Sequence, residues 1–264
     1  MIRFGLIGHG RFGKHYERLL GELPDVKLIG IATRHTTISI DEVLRDADAV
    51  IIATPASTHA ELIARALKAN KHILVEKPMV MSMAEAKSLQ PLLTDKIFMV
   101  GYQYLYNDSI RTLSSAGTIA YLGEHFSNGP IRDDIGVFAD AGVHDLSIIE
   151  YLFRPGEIVA THGSITADVA AVTISFENGL LAQLVVSRVF PEKVRRITLL
   201  NMQGGTVYDD LATQQKREPL RNELEHFIDC VQNKKQPLTD FAFGLKITEH
   251  CEAIYRKLQA SSFS

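Results

Sequence analysis

Positive charge, cysteine and long apolar runs are all scarce in this sequence, and each scarcity excludes a class of function. Lysine and arginine together number 28 against 31 acidic residues, a net charge of −3. A nucleic-acid binder needs an excess of cations for its sequence-independent grip on phosphates, so DNA and RNA are not expected partners. There are two cysteines. Cys230 and Cys251 fall on stretches that read as helices and have no metal-ligand spacing, so buried reduced thiols, no metal and a reducing compartment are expected. No apolar run approaches the roughly eighteen residues of a membrane span. The sequence also enters a first strand at Ile2 with no charged region, apolar stretch and cleavage site ahead of it. The expectation is a cytoplasmic protein with no membrane partner.

What is present is ordinary globular material, 46% hydrophobic and 22% charged over 264 residues, enough for one large domain or two modest ones. Short apolar runs at 2–7, 26–32, 48–53, 72–75 and 97–101 alternate with helical patterns. Phe12, Tyr16, Leu19 and Leu20 recur at helical spacing, as do Leu62, Ile63, Ala66 and Leu67. This alternation specifies βαβ units wound into a parallel sheet. Thr58 with Glu61 and Ser82 with Glu85 have the spacing of capping boxes and mark two helix starts.

Beyond about residue 120 the period changes. Val172, Ile174 and Phe176 alternate with Thr173, Ser175 and Glu177, which makes a strand with one wet face. Asn178-Gly179 is a hairpin turn, because both residues tolerate positive φ, and Gln203-Gly204-Gly205 turns another. A mostly antiparallel sheet from 122 to 211 is expected, its apolar face covered by helices or by a second subunit. The covering subunit would make the protein a homodimer or homotetramer through this sheet. Amphipathic helices follow at 220–231 and 244–258, with a turn at Lys234-Lys235-Gln236-Pro237.

Gly8-His9-Gly10-Arg11-Phe12-Gly13 follows an apolar strand and opens a helix. In that context the first glycine makes a tight turn, the second lets the backbone approach a pyrophosphate, and the third packs the helix on the strand. Unpaired amides at the helix start bind the phosphates, so Gly8, His9, Gly10, Arg11 and Phe12 are candidate cofactor-binding residues. The fold class is therefore α/β: an N-terminal Rossmann domain with a doubly wound parallel sheet, residues 1–118, then a C-terminal α+β domain with a mostly antiparallel open sheet, residues 119–264. At the end of the second strand, Ile31-Ala32-Thr33-Arg34-His35 has no carboxylate for the ribose of NAD, while Thr33 and Arg34 suit a 2′-phosphate. NADP(H) is favoured over NAD(H). The alternative for Arg34 is a surface arginine stacked on the adenine of either cofactor.

Ala53-Thr54-Pro55, then His59, then Val75-Glu76-Lys77-Pro78 follow in an order and spacing that resemble the glucose-fructose oxidoreductase and inositol dehydrogenase (Gfo/Idh/MocA) family. Asp140-Ala141-Gly142-Val143-His144-Asp145 looks like that family's Asp-x-Gly-x-His segment, and Leu220-Arg221-Asn222-Glu223 with Phe227 resembles its pattern near the end of the chain. The resemblance spans nearly the whole sequence. It implies an NAD(P)-dependent dehydrogenase or reductase acting on a CHOH or C=O group of a sugar, polyol or nucleotide sugar. Gly136 to Asp145 looks somewhat like the nucleotide-sugar dehydrogenases. A catalytically inactive dinucleotide sensor and a reductase of non-sugar substrates are the other readings. Ala53, Thr54, Pro55, His59, Glu76 and Lys77 are then candidate cofactor contacts, with packing an equal possibility for His59. There are two departures from the family pattern. Only six residues separate Arg34 from Asp41, so this crossover is expected to be too short for a helix. Tyrosines stand at 102, 104 and 106 where many members carry arginines. Packing is the favoured role for these tyrosines, with a pocket lining that stacks on a sugar ring as the other.

Taking hydride from an alcohol carbon requires a group for the hydroxyl proton and a donor for the developing oxyanion. By resemblance Lys77, Asp140 and His144 fill these roles and also touch substrate, together with Gln103 and Tyr104. An ordinary lysine is a poor base at neutral pH and histidine has the better intrinsic pKa. His144 is therefore preferred as acid/base, Asp140 as its orienter and Lys77 as donor to the substrate oxygen, and the roles of Lys77 and His144 are exchangeable.

Overall fold

The computed structural model describes residues 1–129, 134–209 and 218–261. These form two compact units, Met1–Gly101 with Arg221–Thr248, and Tyr102–Leu220 with Glu249–Ser264. Residues 221–248 thus group with the parallel sheet, whereas the sequence reading counts them with the second domain.

In the first unit five parallel strands, β1 (Ile2–Ile7), β2 (Val26–Ala32), β3 (Ala49–Ile52), β4 (His72–Glu76) and β5 (Phe98–Gly101), lie in the order β2-β1-β3-β4-β5. They match the five apolar runs to within a residue at each end. Every residue of β3 is buried, as a parallel sheet covered on both faces demands. The covering helices are α1 (Arg11–Glu22), α2 (Ile40–Asp46), α3 (His59–Lys68) and α4 (Met83–Leu89). The strand order reverses between β1 and β3, and in open α/β sheets ligands bind outside the carboxyl ends of the strands at such a switch point.

Two local expectations are corrected here. The β2–β3 crossover does hold a helix, the seven-residue α2, because Ser39 and Glu42 form a reciprocal capping box: the Glu42 amide donates to Ser39 Oγ (3.2 Å) and the Ser39 amide to Glu42 Oε2 (2.7 Å). The expected box at Thr58 and Glu61 does not form. Thr58 Oγ1 is instead 2.7 Å from Thr54 Oγ1 and donates to the Pro55 carbonyl, so the hydroxyl is turned back into the preceding loop. At Ser82 the hydroxyl does accept from the Glu85 amide.

The second unit contains a short helix α5 (Asp108–Arg111), strand β6 (Thr118–Asn128), a π-helical turn Phe138–Gly142 leading into α6 (Val143–Phe153), and strands β7 (Ile158–Ile165), β8 (Val169–Phe176), β9 (Leu181–Ser187), β10 (Val189–Asn201) and β11 (Gly204–Asp209). The sheet order is β11-β10-β6-β9-β8-β7. The β6–β9 pair is parallel and the other pairs are antiparallel, so the sheet is mixed. Gly179 turns the β8–β9 hairpin at φ +87°. The expected sheet limit at 211 lies outside the described residues. One face carries Tyr121, Gly123 and His125 of β6 against α6, and residues such as Leu181 and Leu200 are left exposed.

Helices α7 (Pro219–Asn233) and α8 (Phe241–Ser261) end the chain. Phe227 meets Phe4 and Phe241 meets Phe98 edge to face in the first unit, while Tyr255 meets Phe138 in the second. Cys230 and Cys251 are free thiols.

Candidate active site

The glycine motif forms the turn from β1 into α1. Gly8 has φ +97°, and a Cβ there would lie 2.5 Å from the Ala53 carbonyl oxygen, so no other residue lets the ends of β1 and β3 close up. A Cβ on Gly13 would stand 2.4 Å from the Gly8 oxygen, while nothing lies within 4 Å of the corresponding point on Gly10. Gly10 caps α1 and has no side chain to satisfy the first amides. Open space over Gly10 in front of unsatisfied helix amides fits a dinucleotide pyrophosphate. Arg11 is exposed, Phe12 is half-buried, and His9 Nε2 lies 2.7 Å from Glu17 at the surface.

At the end of β2 the Thr33 hydroxyl accepts from the His35 amide, and Thr33 N donates to Thr36 Oγ1. Arg34 is exposed and makes no hydrogen bond or ion pair among the described residues, so its guanidinium is available to a ligand. Ala53-Thr54-Pro55 follow β3, and Glu76 ends β4, with Lys77 and Pro78 following it through a cis Lys77–Pro78 bond. His59 joins these two loops. Its Nδ1 lies 2.8 Å from the Pro78 carbonyl and its Nε2 3.0 Å from the Thr54 carbonyl, and burial pushes the ring's pKa down. A neutral imidazole has one N–H and donates to one of these two carbonyls, so His59 positions one loop by a hydrogen bond and packs against the other.

Glu76 is buried, and the Tyr16 hydroxyl of α1 lies 2.9 Å from its Oε1 and 2.9 Å from Oε1 of Glu223 on α7. One phenolic hydrogen cannot serve both contacts. Burial, and then the charge of Glu76, hold the Glu223 carboxyl well above the usual range, so Glu223 retains the second proton. Burial likewise raises the Tyr16 phenol. Lys77, half-buried, stands directly after this cluster at the carboxyl end of β4.

Lys77 lies in the first unit, Asp140 and His144 in the second. Asp140 is half-buried on the π-helical turn, and His144 is buried near the start of α6. His144 lines an open recess within the second unit, whose wall also includes Tyr104, Glu124, His125, Asp145 and Arg195. The His144 ring stacks on His125 with centroids 5.4 Å apart and planes 2° from parallel, and Tyr104 meets His144 edge to face at 4.7 Å. Tyr104 therefore belongs to the recess, whereas Tyr102 and Tyr106 are buried packing residues and Gln103 is half-buried beside them. In the recess wall Asp145 is buried, and the Tyr121 hydroxyl donates to its Oδ1 at 2.7 Å. Burial pushes its carboxyl up to about 6, against lowering by Tyr121 and Arg195. A Cβ on Gly123 would lie 2.4 Å from Asp145 Oδ1, so a glycine on β6 makes room for the carboxyl.

Sequence reasoning missed His125, Arg195, Asp145 and the Tyr16–Glu223 pair. Glu223 and Asp145 stood inside quoted motifs and could have been noted as acids at helical positions otherwise destined for burial. His125 and Arg195 had no signal beyond alternation along a strand.

Two family descriptions match the chain. The Gfo/Idh/MocA oxidoreductase family with an NAD-binding Rossmann fold covers residues 2–104, and the Gfo/Idh/MocA C-terminal domain covers residues 124–207. This protein belongs to the Gfo/Idh/MocA family. Among similar members, scyllo-inositol 2-dehydrogenase (NAD(+)) of Bacillus subtilis is 29% identical, over 90% of this chain and 88% of its own. UDP-N-acetylglucosamine 3-dehydrogenase of Acidithiobacillus ferrooxidans is 26% identical, over 93% and 94%. A solved structure of the latter enzyme superposes with a TM-score of 0.85 at 23% identity, covering 98% of both chains, which shows the shared Gfo/Idh/MocA fold. No metal-binding cluster and no helix long and apolar enough to cross a membrane occurs among the described residues.

Proposed function

We propose that this Gfo/Idh/MocA member is a dehydrogenase or reductase that moves hydride between a nicotinamide dinucleotide and a CHOH or C=O group of a sugar, polyol or nucleotide sugar. The observation that carries the reading is the glycine cradle at the β1/β3 switch point, in a chain whose two halves both match one oxidoreductase family. Relatives named for inositol and for UDP-N-acetylglucosamine support the substrate class.

The cofactor's phosphates would sit over Gly10 at the start of α1, with His9, Arg11 and Phe12 around them and Ala53, Thr54, Pro55 and Glu76 at the neighbouring strand ends. When bound, its nicotinamide exchanges hydride with the substrate carbon. His144 takes the hydroxyl proton on a ring nitrogen during oxidation and returns it during reduction, Asp140 orients the imidazole, and Lys77 Nζ donates to the substrate oxygen. The proton and donor roles of Lys77 and His144 are exchangeable, and Gln103 and Tyr104 contact the substrate. NADP(H) is preferred, because Arg34 is unengaged and no carboxylate stands at the end of β2 to accept from an NAD ribose. Two copies associate through the exposed apolar positions of the second unit's sheet, Leu181 and Leu200 among them, and the enzyme works in the cytoplasm.

Following NAD(P)H absorbance against inositols, hexoses, sugar phosphates and UDP-N-acetylglucosamine tests the reading. Substrate-dependent turnover is expected. Tight cofactor binding with no turnover on any of them would make the protein a sensor instead.

A further inference from the structure

The two arginines lining the second unit's recess are neutralised differently. Arg196 lies 3.0 Å from Asp209 and 3.6 Å from Glu124. Its neighbour Arg195, half-buried, makes no ion pair among the described residues. Three hydrogen bonds hold the Arg195 guanidinium in place instead: Nε donates to the Tyr104 hydroxyl at 2.6 Å, and Nη1 donates to the carbonyls of Phe126 and Val194, each at 2.8 Å. No described protein atom accepts from Nη2. Tyr104 is the same ring that meets His144 at 4.7 Å, so the guanidinium is one side chain away from the proposed acid/base.

The acids near it make no contact with the guanidinium. Glu124 is engaged by Arg196, and Asp145 accepts from Tyr121 and reaches Arg195 only through its field, without an ion-pair contact. A half-buried guanidinium without a contacting acid is costly to hold, and the unengaged hydrogens on Nη2 can donate to an oxyanion ligand.

We propose that Arg195 is an oxyanion-binding subsite and that the substrate is an acidic sugar derivative, its carboxylate or phosphate received by Nη2 of Arg195 while its reacting hydroxyl is presented to His144. This rests on the dehydrogenase reading above and narrows its substrate class. Tyr104 has a double part: it fixes the guanidinium through its hydroxyl and packs the imidazole with its ring edge. The fold assembles the subsite from β6, β10 and the 3-10 turn Gln103–Tyr106, none of which bears a motif residue of the first unit.

The test compares glucuronate, glucose 6-phosphate and the neutral compounds glucose and scyllo-inositol, with wild type, Arg195→Gln and Arg195→Lys, each saturated with cofactor. At least one anionic compound is expected to exceed the neutral ones in kcat/KM by about tenfold or more. Arg195→Gln should raise KM for that compound by about tenfold to a hundredfold, and change kcat and the neutral KM values by less than about threefold, the small change reflecting the lost bond to Tyr104. Arg195→Lys, which keeps the charge and loses the fork, should fall between, and melting curves check that both variants fold. Preference for glucuronate alone assigns a carboxylate, and preference for glucose 6-phosphate alone assigns a phosphate. Equal use of neutral and anionic compounds, or an equal loss on both in Arg195→Gln, overturns the proposal. If nothing is turned over, the dehydrogenase reading fails separately, and calorimetric titration of the two anions into wild type and Arg195→Gln decides the subsite. Affinity that depends on Arg195 supports it, and no binding, or equal binding to both proteins, sinks it.

Discussion

Each unit buries a tyrosine hydroxyl against carboxyl groups, and the two centres solve the same electrostatic problem in different ways. In the first unit Tyr16 stands between Glu76 and Glu223, and the pair is relieved by a retained proton, since burial and the neighbouring charge hold Glu223 well above its ordinary range. In the second, Tyr121 serves the single carboxyl of Asp145, and the field of Arg195 offsets part of the burial cost, leaving the group near 6. A proton shared between two acids ties three elements, α1, β4 and α7, at a point that leads directly into Lys77. The Asp145 centre leaves a titrating acid in the wall of the recess that His144 lines. The first arrangement is scaffolding for a strand end, and the second leaves a buried titrating acid at the recess.

The largest expected effect separates chemistry from scaffold at that strand end. Lys77→Ala should lower turnover by about 10²- to 10⁴-fold while cofactor affinity, read by fluorescence titration, stays nearly constant. Unchanged turnover would remove Lys77 from the reaction. Next come the two tyrosines. Tyr121→Phe leaves one buried carboxyl oxygen unsatisfied and should cost about 1–3 kcal/mol in urea unfolding, whereas Tyr16→Phe abandons two carboxyls and should cost roughly twice as much. The opposite order would break the contrast between the centres.

Proton linkage gives a finer test. Because the folded Asp145 has a pKa of about 6 against 3.8 for an ordinary aspartate, the native state binds more protons than the unfolded chain between those values. Stability should therefore fall as pH rises from about 4 to about 6, by up to about 3 kcal/mol from this group, and the loss should persist above that window. Asp145→Asn should flatten this part of the pH–stability curve, and a slope that survives the substitution would assign it to other groups. The smallest effect is confined to the first unit: Arg34→Ala should raise KM for NADP(H) by about tenfold and leave that for NAD(H) little changed. A parallel rise in both would turn Arg34 into a general adenine contact.

The two units were unequally legible. β1 to β5 followed from apolar runs, and Gly8, Gly10 and Gly13 were meaningful before any fold was known, because a phosphate turn is made by residues adjacent in the chain. The helix starts were read less well. Ser39 and Glu42 formed the capping box that shortness of the crossover argued against, and Thr58 spent its hydroxyl on Thr54 and Pro55, since a capping side chain chooses among all nearby partners. In the second unit Asn178-Gly179 marked its hairpin, but the parallel β6–β9 pairing arises between strands more than fifty positions apart and leaves no local trace.

Sequence alone determined the dinucleotide cradle, the parallel sheet beneath it and the family, because these depend on backbone conformation and on periodicities that neighbouring residues set. Tertiary structure alone decided that Tyr16 stands between Glu76 and Glu223, that His59 is buried between the carbonyls of two loops, and that Arg195 makes no ion pair among the described residues beside Tyr104 and His144. Charge, hydration and proton occupancy of a buried group are set by whatever packs against it, and those neighbours come from distant parts of the chain.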